Sequence, residues 1–119
     1  MPQYMLLIYG DPSNAPSADD DPEGQYAAWL NYTNALTASG AMVSGAPLED
    51  TDAAATVRVR NGETAVSDGP FADTKEVLGG YYLVDVPTRE DALALAAKMP
   101  NIEYGAVEVR PVVVFPQAG

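Results

Sequence analysis

Asp68, Asp73, Lys75 and Glu76 lie close together in one short stretch and are the residues of this chain best suited to chemistry. A carboxylate beside an ammonium group can serve as a base, and the amine can bind an anion or lower the carboxylate's pKa. Read this way, the stretch rims a pocket, with Asp68 and Glu76 as acceptors or base and Lys75 as their cationic neighbour. Gly69, Pro70 and Phe71 follow Asp68 directly, and Tyr81 and Tyr82 come shortly after. With Tyr9 and Tyr104, these two tyrosines could line a dimer cavity and present hydroxyls to it. The chain has no cysteine and no histidine. Thiolate ligands, thiol nucleophiles and the commonest general base are therefore excluded.

The same residues also have a structural use. Asp68-Gly69-Pro70 is turn chemistry, with glycine free to take an unusual φ and proline fixing the next dihedral. Phe71 is the large apolar anchor of that turn. Lys75 and the acids would then form surface or intersubunit ion pairs, and strand tyrosines would pack in a core. The acid run Asp19-Asp20-Asp21 invites a metal reading, but adjacent carboxylates in a loop are ordinarily solvated. Asp21 also has a capping role to fill, so no metal and no cofactor are expected.

The elements that position these residues follow from periodicity. Gln3 to Tyr9 is an apolar first strand, and its unbroken run implies that both faces are covered. A loop to Asp20 leads to Asp21 as N-cap and Pro22 in the first helical turn. Tyr26, Trp29, Leu30, Thr33 and Leu36 recur at helical spacing, with Gly40 closing the helix. Tyr26 and Trp29 could stack on a ligand, but residues of such a stripe are expected in the core. Ala41 to Leu48 is extended. Ala55 to Arg60 alternates, with Val57 and Val59 expected on the buried face. Asn61-Gly62 predicts a tight hairpin turn back into Glu63 to Ser67. Ala72 to Leu78 reads as a short helical turn. Gly79-Gly80 predicts close backbone approach to a neighbour or ligand, so that Gly79→Val should damage folding. Tyr81 to Val86 is the next strand. Thr88, with Asp91 three residues on, opens a second helix ended by Pro100. Ala106 to Phe115 is the last strand. The order is α+β, a ferredoxin-like β-α-β-β-α-β plan with a hairpin elaboration, in a single domain over residues 1–119. One sheet with both helices on one face leaves the other face apolar, and a face-to-face homodimer would hide it.

At 119 residues and 47% hydrophobic content the chain can close one core. Six basic residues against seventeen acids give a formal charge of −11. That balance disfavours nucleic acid and anionic membranes. With no membrane-length apolar run and no basic leader at the start, a cytoplasmic protein is expected.

Four blocks carry a family resemblance. They are Tyr4-Met5-Leu6-Leu7-Ile8-Tyr9, Asp68-Gly69-Pro70-Phe71-Ala72-Asp73-Thr74-Lys75-Glu76, Gly79-Gly80-Tyr81-Tyr82-Leu83-Val84-Asp85-Val86, and Val107-Glu108-Val109-Arg110-Pro111-Val112. In this order they resemble the DGPF branch of the YCII-related superfamily. The resemblance implies a dimeric α+β barrel of ferredoxin-like protomers. It implies no settled activity, and some members resemble companions of extracytoplasmic-function sigma factors. Asp73 stands where the family usually has glutamate, and Tyr104 stands where many members have histidine. The histidine–aspartate pair associated with the first helix in YCII-type relatives has no counterpart between Glu23 and Gly40.

Three functions are compatible with these residues. The first is a small-molecule-binding or accessory domain, and the second an enzyme using Asp68, Lys75 or Glu76 on a small organic substrate in a dimer cleft. The third is a protein-interaction partner, for instance of a sigma factor. A deep cavity lined by these charged groups would favour the first two, and a filled barrel with an exposed apolar patch the third.

Overall fold

The computed structural model describes residues 2–17 and 19–115. Four strands, β1 (Gln3–Gly10), β2 (Met42–Pro47), β5 (Val77–Asp85) and β6 (Gly105–Pro111), form one antiparallel sheet in the order β2-β5-β1-β6. Helix α1 (Pro22–Ala38) joins β1 to β2, and α2 (Arg89–Ala96) joins β5 to β6. Each helix thus crosses over one intervening strand, which is the ferredoxin-like arrangement. The hairpin β3 (Ala55–Arg60) and β4 (Glu63–Asp68) is a separate two-stranded sheet inserted between β2 and β5.

The core lies between the helices and one face of the sheet. Strand alternation places Tyr4 and Leu6 of β1 beside Val84 and Tyr82 of β5, and all four side chains are buried. Leu36 of α1, Ala92 of α2 and Met99 complete the cluster. Among the stripe residues of α1 only Leu36 is buried; Trp29 is half-buried and Tyr26 is 69% exposed. Tyr32 takes the core position instead. It lies four residues before Leu36, one helical turn away on the same face. Its hydroxyl donates to the Leu95 carbonyl at 2.7 Å, and its ring meets Tyr82 edge-on at 5.4 Å.

Burial, and secondarily the neighbouring Tyr82, pushes the Tyr32 phenol up to about 12. A folded pKa above the unfolded value of about 10 favours the neutral form. The stability it contributes is therefore complete below pH about 10 and lost as pH rises through about 12. Alkaline unfolding curves of Tyr32→Phe should show a shallower loss across that window than the wild type.

Both helix starts match the sequence expectation. The Asp21 side chain accepts from the Gly24 N–H at 3.2 Å, although its backbone is left-handed at φ 48°. Thr88 Oγ1 accepts from the Asp91 N–H at 3.2 Å and donates back to Asp91 Oδ2 at 2.9 Å. The return bond runs to the hydroxyl, an arrangement that suits aspartate, one methylene shorter than the usual glutamate.

Three local expectations need correction. Residues 72–76 are irregular rather than helical, and β5 begins at Val77. The strand thus runs through Gly79 and Gly80, and the pairing shifts there: Tyr9 opposes Leu78 and Ile8 opposes Gly80, leaving Gly79 as the extra residue of a bulge. A Cβ on Gly79 would meet nothing nearer than the Ile8 carbonyl at 4.0 Å. On Gly80 it would lie 2.9 Å from the Ala46 carbonyl oxygen. Close approach is therefore a property of Gly80. Finally, Val57 and Val59 are exposed, because the hairpin stands apart from the helices and shares no core with them.

Candidate functional site

The Asp68–Phe71 turn ties off the open end of the hairpin. Gly69 has φ 101°, reserved for glycine, and its N–H donates to the Ala54 carbonyl at 2.7 Å. Its own carbonyl accepts from Thr56 Oγ1 at 2.9 Å. Phe71 is not a core anchor: it is 78% exposed, with the Arg58 guanidinium 5.3 Å from its ring centre. Asp68, Lys75 and Glu76 are all exposed, and among the described residues none of them forms an ion pair. They do not converge on one pocket.

Two concavities divide the sequence-predicted residues. A recess of about 550 Å³ beneath the hairpin is lined by Pro70, Phe71 and Glu76, together with Glu49 and Asp50. A larger cavity of about 650 Å³ opens between α1 and the sheet and takes in Tyr81 and Tyr82. Tyr9 borders both. Asp68, Gly69 and Lys75 line neither.

The larger cavity has aromatic walls. Tyr26 and Trp29 come from α1, Tyr82 from β5 and Tyr104 from the turn before β6, while Tyr9 borders the space from β1 and Tyr81 alternates to the opposite face of the sheet. The sheet can accommodate this space because Gly45, Gly79 and Gly80 bring no side chains to it. Thr33 Oγ1 and the Tyr82 hydroxyl share a hydrogen bond of 2.7 Å on the inner wall. Among the described residues, no lysine, arginine, aspartate or glutamate lines the cavity. Asp11 sits between the lining residues Gly10 and Pro12, and hydrogen bonds from the Ser13 hydroxyl and N–H hold its carboxyl below the usual range.

One wall residue was not anticipated from sequence. Asn101 is 5% exposed; its Nδ2 donates to the Tyr9 carbonyl at 3.3 Å, and its Oδ1 is buried without a partner among the described residues. Leaving a buried amide oxygen unsatisfied is costly, so such atoms merit a functional reading. In sequence Asn101 is a Pro-Asn turn, and nothing local marks it as more. Among the described residues no group of acids is placed to hold a metal ion. No described helix is long and apolar enough to cross a membrane.

The YCII-related domain family matches residues 2–116 of this chain. An uncharacterised protein of Rhizobium meliloti strain 1021 is 39% identical over 119 residues, covering 94% of this chain and 93% of its own length. Among solved structures, the fold is similar to 5-chloro-2-hydroxyhydroquinone dehydrochlorinase from Burkholderia phenoliruptrix, in complex with 2,5-dihydroxybenzoquinone. The TM-score is 0.50 at 16% identity, over 91% of this chain and 90% of the other.

Proposed function

This chain belongs to the YCII-related domain family, and on that premise we propose that it is a small-molecule-binding domain whose ligand occupies the cavity between α1 and the sheet. The observation that carries this reading is an open cavity whose walls bring together Tyr26, Trp29, Tyr82 and Tyr104. Small-molecule sites are typically apolar concavities of about 300–1,000 Å³ with few, well-placed polar groups. A cavity of about 650 Å³ falls within that range. The dehydrochlorinase of similar fold holds a single-ring compound, and a ligand of that size would fit here.

Binding is favoured over catalysis because, among the described residues, no carboxylate, lysine or arginine lines the cavity. An enzyme working through Asp68, Lys75 or Glu76 would need those groups gathered, and they are spread over an exposed segment. The Asp68-Gly69-Pro70-Phe71 turn supports placement in the DGPF branch, and an accessory role beside a sigma factor is one use of a ligand-responsive domain. We further propose a homodimer, formed through the sheet face away from the helices. Met5, Leu7, Tyr81 and Leu83 sit together there by strand alternation, half-buried and uncovered by either helix.

Trp29 is the only tryptophan, so it reports directly on the cavity. Titration with neutral single-ring compounds should change its emission saturably. Tyr26→Ala should weaken binding about fivefold, through loss of an aromatic contact. A folded protein that binds none of them, by fluorescence or by calorimetry, would overturn the proposal.

A further inference from the structure

We propose that Phe71 and the recess beside it dock a second copy of this chain, so that the Asp68–Phe71 turn is part of the homodimer interface. The inference rests on the reading of the sheet face as that interface.

Its first support is continuity. Across β1 and β5, Met5 opposes Leu83, Leu7 opposes Tyr81 and, beyond the bulge, Tyr9 opposes Leu78. Opposed residues of an antiparallel pair share a face, here the one turned away from the helices. Tyr9 and Leu78 also line the recess beneath the hairpin, together with Leu48 and Phe71. Leu48 is held there by its N–H, which donates to the Gly79 carbonyl at 2.9 Å. The recess is thus the end of the apolar sheet face rather than a separate pocket.

The second support is that Phe71 is held in place while exposed. The Gly69 backbone bonds to Ala54 on one side and Thr56 on the other, which fixes the turn that carries the ring. Arg58 lies over one face of that ring. An aromatic side chain already fixed loses little freedom on association, and such residues are common interface anchors.

The third support is area. The chain presents 8485 Å², where a compact monomer of 12.5 kDa presents about 6,200 Å². Its radius of gyration is 16.6 Å, against about 13.5 Å for a compact domain of this length. A surplus of about 2,000 Å² exceeds the roughly 800 Å² that each partner gives to a standard interface. An interface between copies therefore has room for the Phe71 recess as well as the sheet.

The test is sedimentation equilibrium of the full chain, with fluorine NMR of the same protein grown on 4-fluorophenylalanine. Only Phe71 and Phe115 take up the label, and Phe115→Leu identifies the Phe71 signal. A dimer is expected, in which the Phe71 signal moves between H2O and D2O by far less than that of free 4-fluorophenylalanine. Phe71→Ala, its folding checked by circular dichroism, should raise the dimer dissociation constant about thirtyfold. A dimer whose Phe71 signal keeps the full solvent shift, or whose affinity Phe71→Ala leaves unchanged, would overturn the inference and leave a homodimer on the sheet face alone. A chain that stays monomeric at high concentration would overturn both, and leave the exposed face to a different protein. The fluorine measurement keeps Phe71 in place, so it decides should Phe71→Ala fail to fold.

Discussion

Gly80→Val lowers stability by about 3 kcal/mol, whereas Gly79→Val changes it by no more than about 0.5 kcal/mol. Neighbouring glycines would thus behave oppositely, for reasons visible in the sheet. Gly80 opposes Ile8 across β1 and Pro47 across β2, and any Cβ there would press on the Ala46 carbonyl and, at 3.3 Å, on Pro47 Cα. Both are backbone atoms of a paired strand and cannot rotate aside. Relief would require β2 to move off β5, at the cost of ladder hydrogen bonds. Gly79 occupies the bulge, where a side chain enters open space. Urea unfolding of both variants measures the difference. Equal losses would show that the bulge is misplaced.

Leu36→Ala costs about 3 kcal/mol, while Tyr26→Ala leaves stability within about 0.5 kcal/mol of the unaltered protein and instead weakens ligand binding. Both residues belong to the same helical stripe, yet Leu36 is 2% exposed against 69% for Tyr26. Leu36 packs in the cluster with Leu6, Val84 and Met99, and its removal leaves a cavity that this close-packed layer cannot collapse to fill. Tyr26 lies toward the start of α1, where the helix stands over the open cavity rather than over packed sheet. Losses of similar size in thermal melts would mean that the cavity is closed in solution.

The ferredoxin-like order was legible because each element carries its own signal. Asp21-Pro22 and Thr88 mark the helix starts, Asn61-Gly62 the hairpin, and the alternation of Tyr4, Leu6 and Tyr82, Val84 the buried sheet face. What local signals could not supply was partner geometry. Helical spacing alone ranks Tyr26 with Leu36, because it describes a face and not what that face meets. Val57 and Val59 alternate as a half-buried strand should, but no helix lies over the hairpin. Likewise, Gly79-Gly80 announces unusual backbone without saying which residue bulges and which is crowded.

The site was legible only in part. Tyr9, Tyr81 and Tyr82 border a cavity within one protomer, whereas the sequence suggested a cavity between two. The charged cluster drew attention because its residues adjoin in sequence, yet an extended, irregular segment spreads neighbours apart. Asn101 was missed for the converse reason. Its place beside Tyr9 comes from strand pairing between β1 and β6, a contact spanning most of the chain.

The most direct test of the ligand site is a nitrogen-15 NMR titration with p-cresol, following the Tyr104 backbone amide and the Trp29 indole. The structure predicts saturable shifts of both signals at one common affinity, with the hairpin signals unmoved. Shifts confined to the recess around Phe71 and Glu76, or none at Trp29, would contradict it.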